Sequence, residues 1–271
     1  YLPRLASGEL IGCLALTEPT AGSDATAMKS RAKKVDGGYI INGAKCYITL
    51  APVADLFTIF ARTEGERGGR GVTAFIVERG TEGLSTSGST PKMGQEGAPI
   101  GEVFMDDMFV PDKAVLGEVE GMGFKTVMKA LNKQRINPSA LSTGPAIRML
   151  DDAVAYAKER RQFDKAIGEF QLVQAMLAEC KVEIEAARAL ILQTARKRDR
   201  GEDVTMDVSL CKYYSTEMCG RVADKAVQIF GGAGYVKGTG IERFYRDVRA
   251  FRVYEGTSQI HLLNIAKNLL K

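Results

Sequence analysis

Tryptophan is absent from the chain, and histidine occurs once, at His261. A single imidazole excludes His-rich metal centres and argues against a Ser-His-Asp triad, so base chemistry falls to a carboxylate. His261 itself reads as a core or surface residue of the last helix. No CxxC pair occurs among the five cysteines, Cys13, Cys46, Cys180, Cys211 and Cys219. That spacing argues against zinc and against a disulfide framework, and for buried thiols in a reducing compartment. No apolar run approaches the roughly 20 residues that a spanning helix needs. An excess of one charge is missing too: 37 basic and 33 acidic residues leave +4, with the signs interspersed. Neither a nucleic-acid footprint nor a polybasic membrane anchor is implied. The start, Tyr1-Leu2-Pro3-Arg4, has neither an initiator Met nor a signal-peptide pattern, so a fragment or a processed form is expected. Internal repeats and low-complexity segments are also lacking.

What is present is globular composition, 45% hydrophobic and 26% charged over 271 residues, enough for one large domain or two ordinary ones. From Gly12 to about Gly117 the signals are those of strands and turns. A hairpin turn is expected at Asp36-Gly37-Gly38 and a second turn at Asn42-Gly43, with Lys45–Leu50 as another strand. Leu56–Arg62 and Gly71–Val77 pair across a Gly/Arg-rich loop, and Glu102–Pro111 closes the series. Short strands without long intervening helices predict an antiparallel barrel or sandwich. From about Gly121 the period becomes helical. Phe124–Arg160 reads as one long helix, kinked or interrupted at Pro138 and Pro145. Phe170 to about Asp199, Met206–Phe230 and Thr257–Leu270 follow, which suggests a four-helix bundle. The fold class is therefore α+β, an antiparallel β-barrel or sandwich domain over 1–117 followed by a four-helix bundle over 118–271.

Four stretches carry candidate chemistry. Thr17-Glu18-Pro19-Thr20-Ala21-Gly22-Ser23-Asp24 interrupts the first strand with a turn that offers backbone N–H groups and hydroxyls to a polar ligand; a plain Pro-Gly loop explains it too. Tyr47 and Thr49 alternate and share one strand face, suited to a flat ring system or to ordinary cross-strand packing. The stretch from Gln228 to Tyr235 is glycine-rich but follows a helix and opens no strand–turn–helix unit. It is therefore no dinucleotide fingerprint, and serves either as a helix C-terminus or as bare backbone for a phosphate. In Tyr254-Glu255-Gly256-Thr257-Ser258, a carboxylate sits just before a helix cap, near the positive end of the helix dipole. Locally it reads as an ordinary solvated acid beside a cap.

Taken together, Leu16–Asp24, Asn42–Thr49, Arg160-Arg161-Gln162-Phe163 with Phe170-Gln171, Gln228–Tyr235, and Tyr245-Arg246-Asp247 with Tyr254–Ile260 resemble the acyl-CoA dehydrogenase family, in order and over essentially the whole chain. The resemblance implies the family's middle β-domain and C-terminal helical domain, with the N-terminal helical domain absent from this sequence. A second departure is Asp164, where the family often shows Gly.

The resemblance further implies FAD as cofactor. Leu16, Thr17, Ser23, Tyr47 and Thr49 would hold the flavin, Tyr47 lying against the ring and Ser23 also reaching the CoA moiety. Arg160, Gln162, Phe163, Gln171, Gln228, Ile229, Gly231 and Gly232 would bind the adenosine diphosphate part across a subunit interface, and Thr257 and Gln259 would close the site. Glu255 matches the catalytic base, which takes the proton α to a thioester while a hydride leaves the β carbon for flavin N5. Arg135 steadies the base region, and Tyr254 and Gly256 join Arg135 and Ser23 on the substrate. The Glu255 backbone N–H and a flavin ribityl hydroxyl would face the thioester oxygen. In some branches the base comes from the helix near position 134; Gln134 cannot serve. The implied product is a trans-2-enoyl-CoA, with electrons passing to an electron-transfer flavoprotein. The implied assembly is a homotetramer, in the bacterial cytoplasm by preference or in the mitochondrial matrix. The competing classes are an acyl-CoA oxidase or flavin monooxygenase of the same fold, and a non-catalytic truncated subunit.

Overall fold

The computed structural model describes residues 1–63 and 68–271. Part of the Gly/Arg-rich loop expected between the central strands, 64–67, lies outside the described residues. By contacts the chain divides into two compact units: Tyr1–Lys92 with Glu96–Ala130, and Met93–Gln95 with Leu131–Lys271. The division falls at Ala130/Leu131, whereas the sequence pattern changes near Gly117.

The first unit opens on a short helix, α1 (Leu2–Ser7), and is otherwise a curled sheet. Its strands are β1 (Gly12–Ala15), β2 (Arg31–Val35), β3 (Gly38–Thr49), β4 (Leu56–Thr63), β5 (Val72–Glu78), β6 (Leu84–Thr86) and β7 (Ile100–Pro111). Their order is β1-β4-β2-β3-β7-β6, with β5 on β4. The hairpin at Asp36-Gly37-Gly38 is as expected, Gly37 taking the left-handed φ of +73° that the turn demands. The expected turn at Asn42-Gly43 is a correction: β3 runs through it, and the pairing with β7 shifts register between Ile41 and Gly43. Gly43 is a bulge rather than a turn, and a Cβ there would lie 2.6 Å from that of Ser30. The sheet is also not purely antiparallel, since β1 and β2 both join β4 in parallel. The loops leading into β4 carry the chain back along the sheet, and a period of two in the sequence says nothing about strand direction. Alternate residues such as Ile41, Phe57, Ile59, Phe75, Val103 and Met108 point inward and form the core.

Helix α2 (Gly123–Gln134) begins in the first unit, where Phe124 lies so close over Gly69 that a Cβ would come within 2.6 Å of the ring. The helix expected from Phe124 to Arg160, long or broken at its prolines, is divided at Arg135 instead, and α3 (Ile136–Glu159) follows. Pro138 falls in the first turn of α3, where no intrahelical N–H bond is lost, and Pro145 is carried inside it. A two-strand hairpin, β8 (Arg161–Gln162) and β9 (Lys165–Ala166), leads to α4 (Gln171–Asp199) and α5 (Thr205–Phe230). After these come α6 (Gly232–Tyr235), α7 (Ile241–Val248) and α8 (Ser258–Leu269). Helices α3, α4 and α5 pack around Ala146, Met149, Ile184, Met218, Cys219 and Val222. The small side chains among these let the helix axes approach closely. Among the described residues no helix is long and apolar enough to cross a membrane.

Candidate active site

Ahead of α8 the chain makes a turn with a left-handed backbone at two consecutive residues. Glu255 has a φ of +57° and Gly256 one of +90°. For glutamate the left-handed region costs about 1 kcal/mol, and it persists where the surroundings dictate it. Thr257 ends the turn as N-cap of α8, its hydroxyl accepting the Ile260 N–H at 3.3 Å. The Ser258 hydroxyl donates to Glu217 at 2.5 Å, and Glu217 also takes Arg252 at 3.3 Å, so α8 starts from a fixed point on α5.

The Glu255 carboxylate faces inward. Its Oε2 is buried and has no hydrogen-bond partner. Burial raises its pKa above the ordinary carboxylate range, while the Arg135 guanidinium and then the Lys212 ammonium pull the other way. Arg135 is buried at the break between α2 and α3 and is tied to Asn132 Oδ1 at 2.8 Å. Lys212, on α5, is fully buried and donates to the Gly256 carbonyl at 2.8 Å. Its burial lowers the ammonium to about 8, against the pull of Glu255. His261, one turn into α8, is fully buried with Nε2 3.2 Å from the Glu255 carbonyl oxygen. Desolvation, with Lys212 and Arg135 nearby, drops its pKa to about 4, so the ring is neutral. Tyr254 completes the wall: burial pushes its hydroxyl up to about 12, and the Gln95 side chain hydrogen-bonds to it. Gln95 is held in turn by Asp247 on α7, through its N–H to Oδ1 at 2.5 Å and its side chain to the carbonyl at 2.9 Å. Such a site holds a base without a competing donor, among cations, in a poorly hydrated place. It can take a proton from a weak carbon acid.

The polar loop of the first unit is built differently. Glu18 is buried and accepts N–H groups from Lys29 at 2.5 Å and Ser30 at 3.0 Å, and the Lys45 ammonium at 2.8 Å. Burial pushes Glu18 up, but these donors outweigh it and hold the carboxyl below its usual range. Lys45 also reaches the Leu16 carbonyl at 3.3 Å, and the Cys46 N–H takes the Thr17 carbonyl at 2.9 Å. Leu16 and Thr17 are thereby fixed against β3. On that strand Tyr47 is 70% exposed with a left-handed φ of +56°, at a second register shift between Lys45 and Ile48. Thr49 is exposed and Ile48 buried, so Tyr47 and Thr49 share the outer face. Ser23 is exposed on the loop. An aromatic ring displayed in a strained backbone, on the same face as the Thr49 hydroxyl, suits the flat, polar-edged ring of a flavin.

The residues expected to meet the adenosine diphosphate part fall into two groups. Arg160, Gln162 and Phe163 are exposed at the end of α3 and on the β8–β9 hairpin, with Gln171 exposed at the start of α4. Phe163 and Asp164 both have positive φ, +49° and +62°, as a two-residue hairpin turn requires. Asp tolerates that region better than most residues, which accounts for its place where Gly is common. Gln228, Gly231 and Gly232 are exposed at the end of α5, whereas the Ile229 side chain packs into the core with Ile167 and Ala157. Ile229 therefore offers only backbone. Thr257 is taken up by the cap, and Gln259 is exposed. Lys212, Gln95 and Glu217 were not singled out in the sequence, and Asp247 entered only within the stretch Tyr245-Arg246-Asp247. A signal for Lys212 existed: Val208, Cys211, Lys212, Ser215, Cys219 and Val222 lie at helical spacing on one buried face, and lysine is the exception there.

Both units belong to one class. The profile of the acyl-CoA dehydrogenase middle domain matches residues 13–108 and that of the acyl-CoA dehydrogenase C-terminal domain residues 121–270. The chain is an enzyme of the acyl-CoA dehydrogenase family, whose cofactor is FAD. The Caffeyl-CoA reductase-Etf complex subunit CarC of Acetobacterium woodii is 42% identical over all of this chain and 71% of its own length. A 3-(aryl)acrylate reductase of Clostridium sporogenes is 41% identical over all of this chain and 72% of its own. Among solved structures, butyryl-CoA dehydrogenase from Megasphaera elsdenii is 39% identical, with a TM-score of 0.96 over 100% of this chain and 71% of that one.

Proposed function

We propose that the protein catalyses α,β-dehydrogenation of an acyl-CoA thioester to the trans-2-enoyl-CoA, with Glu255 as the base. The observation that carries this is the unpartnered, buried Oε2 of Glu255 between the cations Arg135 and Lys212. Bound FAD supplies the hydride acceptor. Leu16, Thr17, Ser23, Tyr47 and Thr49 supply its flavin contacts, and Thr257 and Gln259 contribute from α8. Arg160, Gln162, Phe163, Gln171, Gln228, Gly231, Gly232 and the Ile229 backbone bind its diphosphate end from a second copy, which makes the protein a homo-oligomer, by the family resemblance a tetramer. Arg135, Tyr254, Gly256 and Ser23 face the substrate. The electron acceptor is an electron-transfer flavoprotein, and the compartment is a reducing one, the cytoplasm, where the five buried free thiols persist.

Burial works on Glu255 in two ways. It raises the carboxylate's basicity, and it strengthens every charge interaction with the negative charge that develops as the α proton leaves. Arg135 and then Lys212 pull against that rise. Anaerobic addition of acyl-CoAs of graded length and branching should bleach the yellow protein. Glu255→Gln should keep the FAD and lose bleaching by at least about a thousandfold. Full bleaching by this variant would sink the assignment.

A second reading concerns direction. The relatives from Acetobacterium and Clostridium are named reductases. A carboxylic acid with a raised pKa is also a proton donor, so Glu255 would return the α proton in the reverse reaction. If reduction is the working direction, the dithionite-reduced protein regains its colour faster with an aryl-acryloyl-CoA than the oxidised protein loses it with the saturated thioester.

A further inference from the structure

Glu255 and Gly256 present two consecutive carbonyl oxygens to the interior, held by two buried side chains, of which His261 bears on both. The Lys212 ammonium donates to Gly256 at 2.8 Å from α5, and His261 Nε2 lies 3.2 Å from the Glu255 oxygen from within α8. A carbonyl can only accept, so Nε2 carries the ring proton, and the buried Nδ1 is left without a partner. Both side chains are fully buried. The Lys212 ammonium therefore gives up water for a neutral carbonyl, an arrangement that would be costly without a negative charge nearby. Two carboxylates act on it, Glu255 first and then Glu217. The same two residues carry the left-handed backbone of the turn, φ +57° and +90°.

We infer that Lys212 and His261 are positioning residues for the base: they grip the two carbonyls that fix the direction of the Glu255 side chain, and Lys212 also places a positive charge beside it. The inference rests on Glu255 being the base. The charged and titratable groups around the carboxylate are Arg135 ahead of α3, Lys212 on α5, His261 on α8 and Tyr254 beside it, with Glu217 acting on Lys212. Arg135 holds Asn132 and, among the described residues, bonds to neither carbonyl, so field and grip coincide in Lys212. His261 is neutral and contributes grip alone.

The two contributions separate experimentally. Lys212→Gln keeps a donor for the Gly256 carbonyl and removes the charge; Lys212→Met removes both. In the FAD-loaded full chain, infrared difference titration follows the protonated carboxyl band of Glu255, assigned by its loss in Glu255→Gln. Both Lys212 variants should raise the midpoint by about one pH unit. In the anaerobic reductive half-reaction with butyryl-CoA and with 3-phenylpropionyl-CoA, measured above each midpoint, Lys212→Met should be about tenfold slower than Lys212→Gln. His261→Leu should slow the same step about tenfold without moving the midpoint, and His261→Gln, whose amide can donate to the Glu255 carbonyl, should restore most of it. Unmoved midpoints in folded Lys212 variants would overturn the field. Equal rates for His261→Leu and His261→Gln would overturn the grip, and that pair decides the matter if neither Lys212 variant folds. Persistent bleaching by Glu255→Gln would strike the base assignment alone, because the infrared midpoint reads the field without turnover.

Discussion

At the scale of single residues, His261 shows how a buried group ties stability to pH. The unfolded chain protonates this imidazole below about 6.5, whereas the native ring holds out to about 4. Across that interval the unfolded state binds more protons, so the native state loses stability as the pH falls through it, by roughly 3 kcal/mol at most. Glu255 acts with the opposite sign, since its raised pKa gives stability at low pH that is lost as the pH rises through the native value. Comparing the wild type with His261→Gln isolates the imidazole. Urea midpoints should diverge at pH 7 and converge or cross by pH 4.5, and parallel pH profiles would contradict the burial of a neutral ring. In the sequence, Glu255 was legible as a carboxylate before a cap, and Thr257 as that cap. The roles of Lys212 and His261 were not, because a helical period reports which face is buried and not what a buried polar atom touches. Tyr47 was legible by alternation, but its left-handed backbone follows from a register shift set by the partner strand β7.

At the scale of elements, the site depends on where α8 begins. Three groups set that start: the Thr257 cap, the Ser258–Glu217 bond and the Lys212 grip. Thr257→Ala leaves one first-turn N–H without its acceptor and should cost about 1 kcal/mol in unfolding free energy, read by urea denaturation. Its effect on the bleaching rate should exceed its effect on stability, because fraying at Thr257 frees Gly256 and Glu255 directly. Gly256→Ala probes the same point sterically. Its Cβ would come 3.1 Å from His261 Nε2 in a backbone with φ +90°, so the variant should lose about 1–2 kcal/mol and most of its activity together. The long helices and most strands were legible from period and punctuation. Helix α7 was not, although Ile241, Phe244, Tyr245 and Val248 recur at helical spacing: eight residues between glycine-containing loops are barely two turns. Segment 93–95 also escaped: its place beside Asp247 rests on bonds between residues 152 apart in the chain.

At the scale of the molecule, a strand-rich run followed by a helix-rich run made the α+β architecture readable, while the parallel pairing of β1 and β2 with β4 depended on chain paths that no local pattern records. What surrounds the single chain follows from its surface. Phe163, Leu172 and Tyr235 are between 82% and 88% exposed, all in the helical unit, and Phe163 lies edge-on to Phe170 with ring centroids 6.1 Å apart. Ordinary surfaces scatter single apolar residues, but here two large ones flank a hairpin whose neighbours Arg160, Gln162 and Gln171 suit a phosphate and a ribose. A second copy covering this hairpin would bury the apolar side chains and complete the diphosphate site at once, so assembly and cofactor retention should fail together. Leu172→Glu with Phe163→Asp should shift sedimentation from a multiple of the chain mass toward the single chain. The far-ultraviolet circular dichroism should stay unchanged, and FAD affinity should weaken by at least about tenfold, since burying a new carboxylate costs several kcal/mol. A monomeric double variant that keeps wild-type FAD affinity would separate the two and place the diphosphate contacts within one chain.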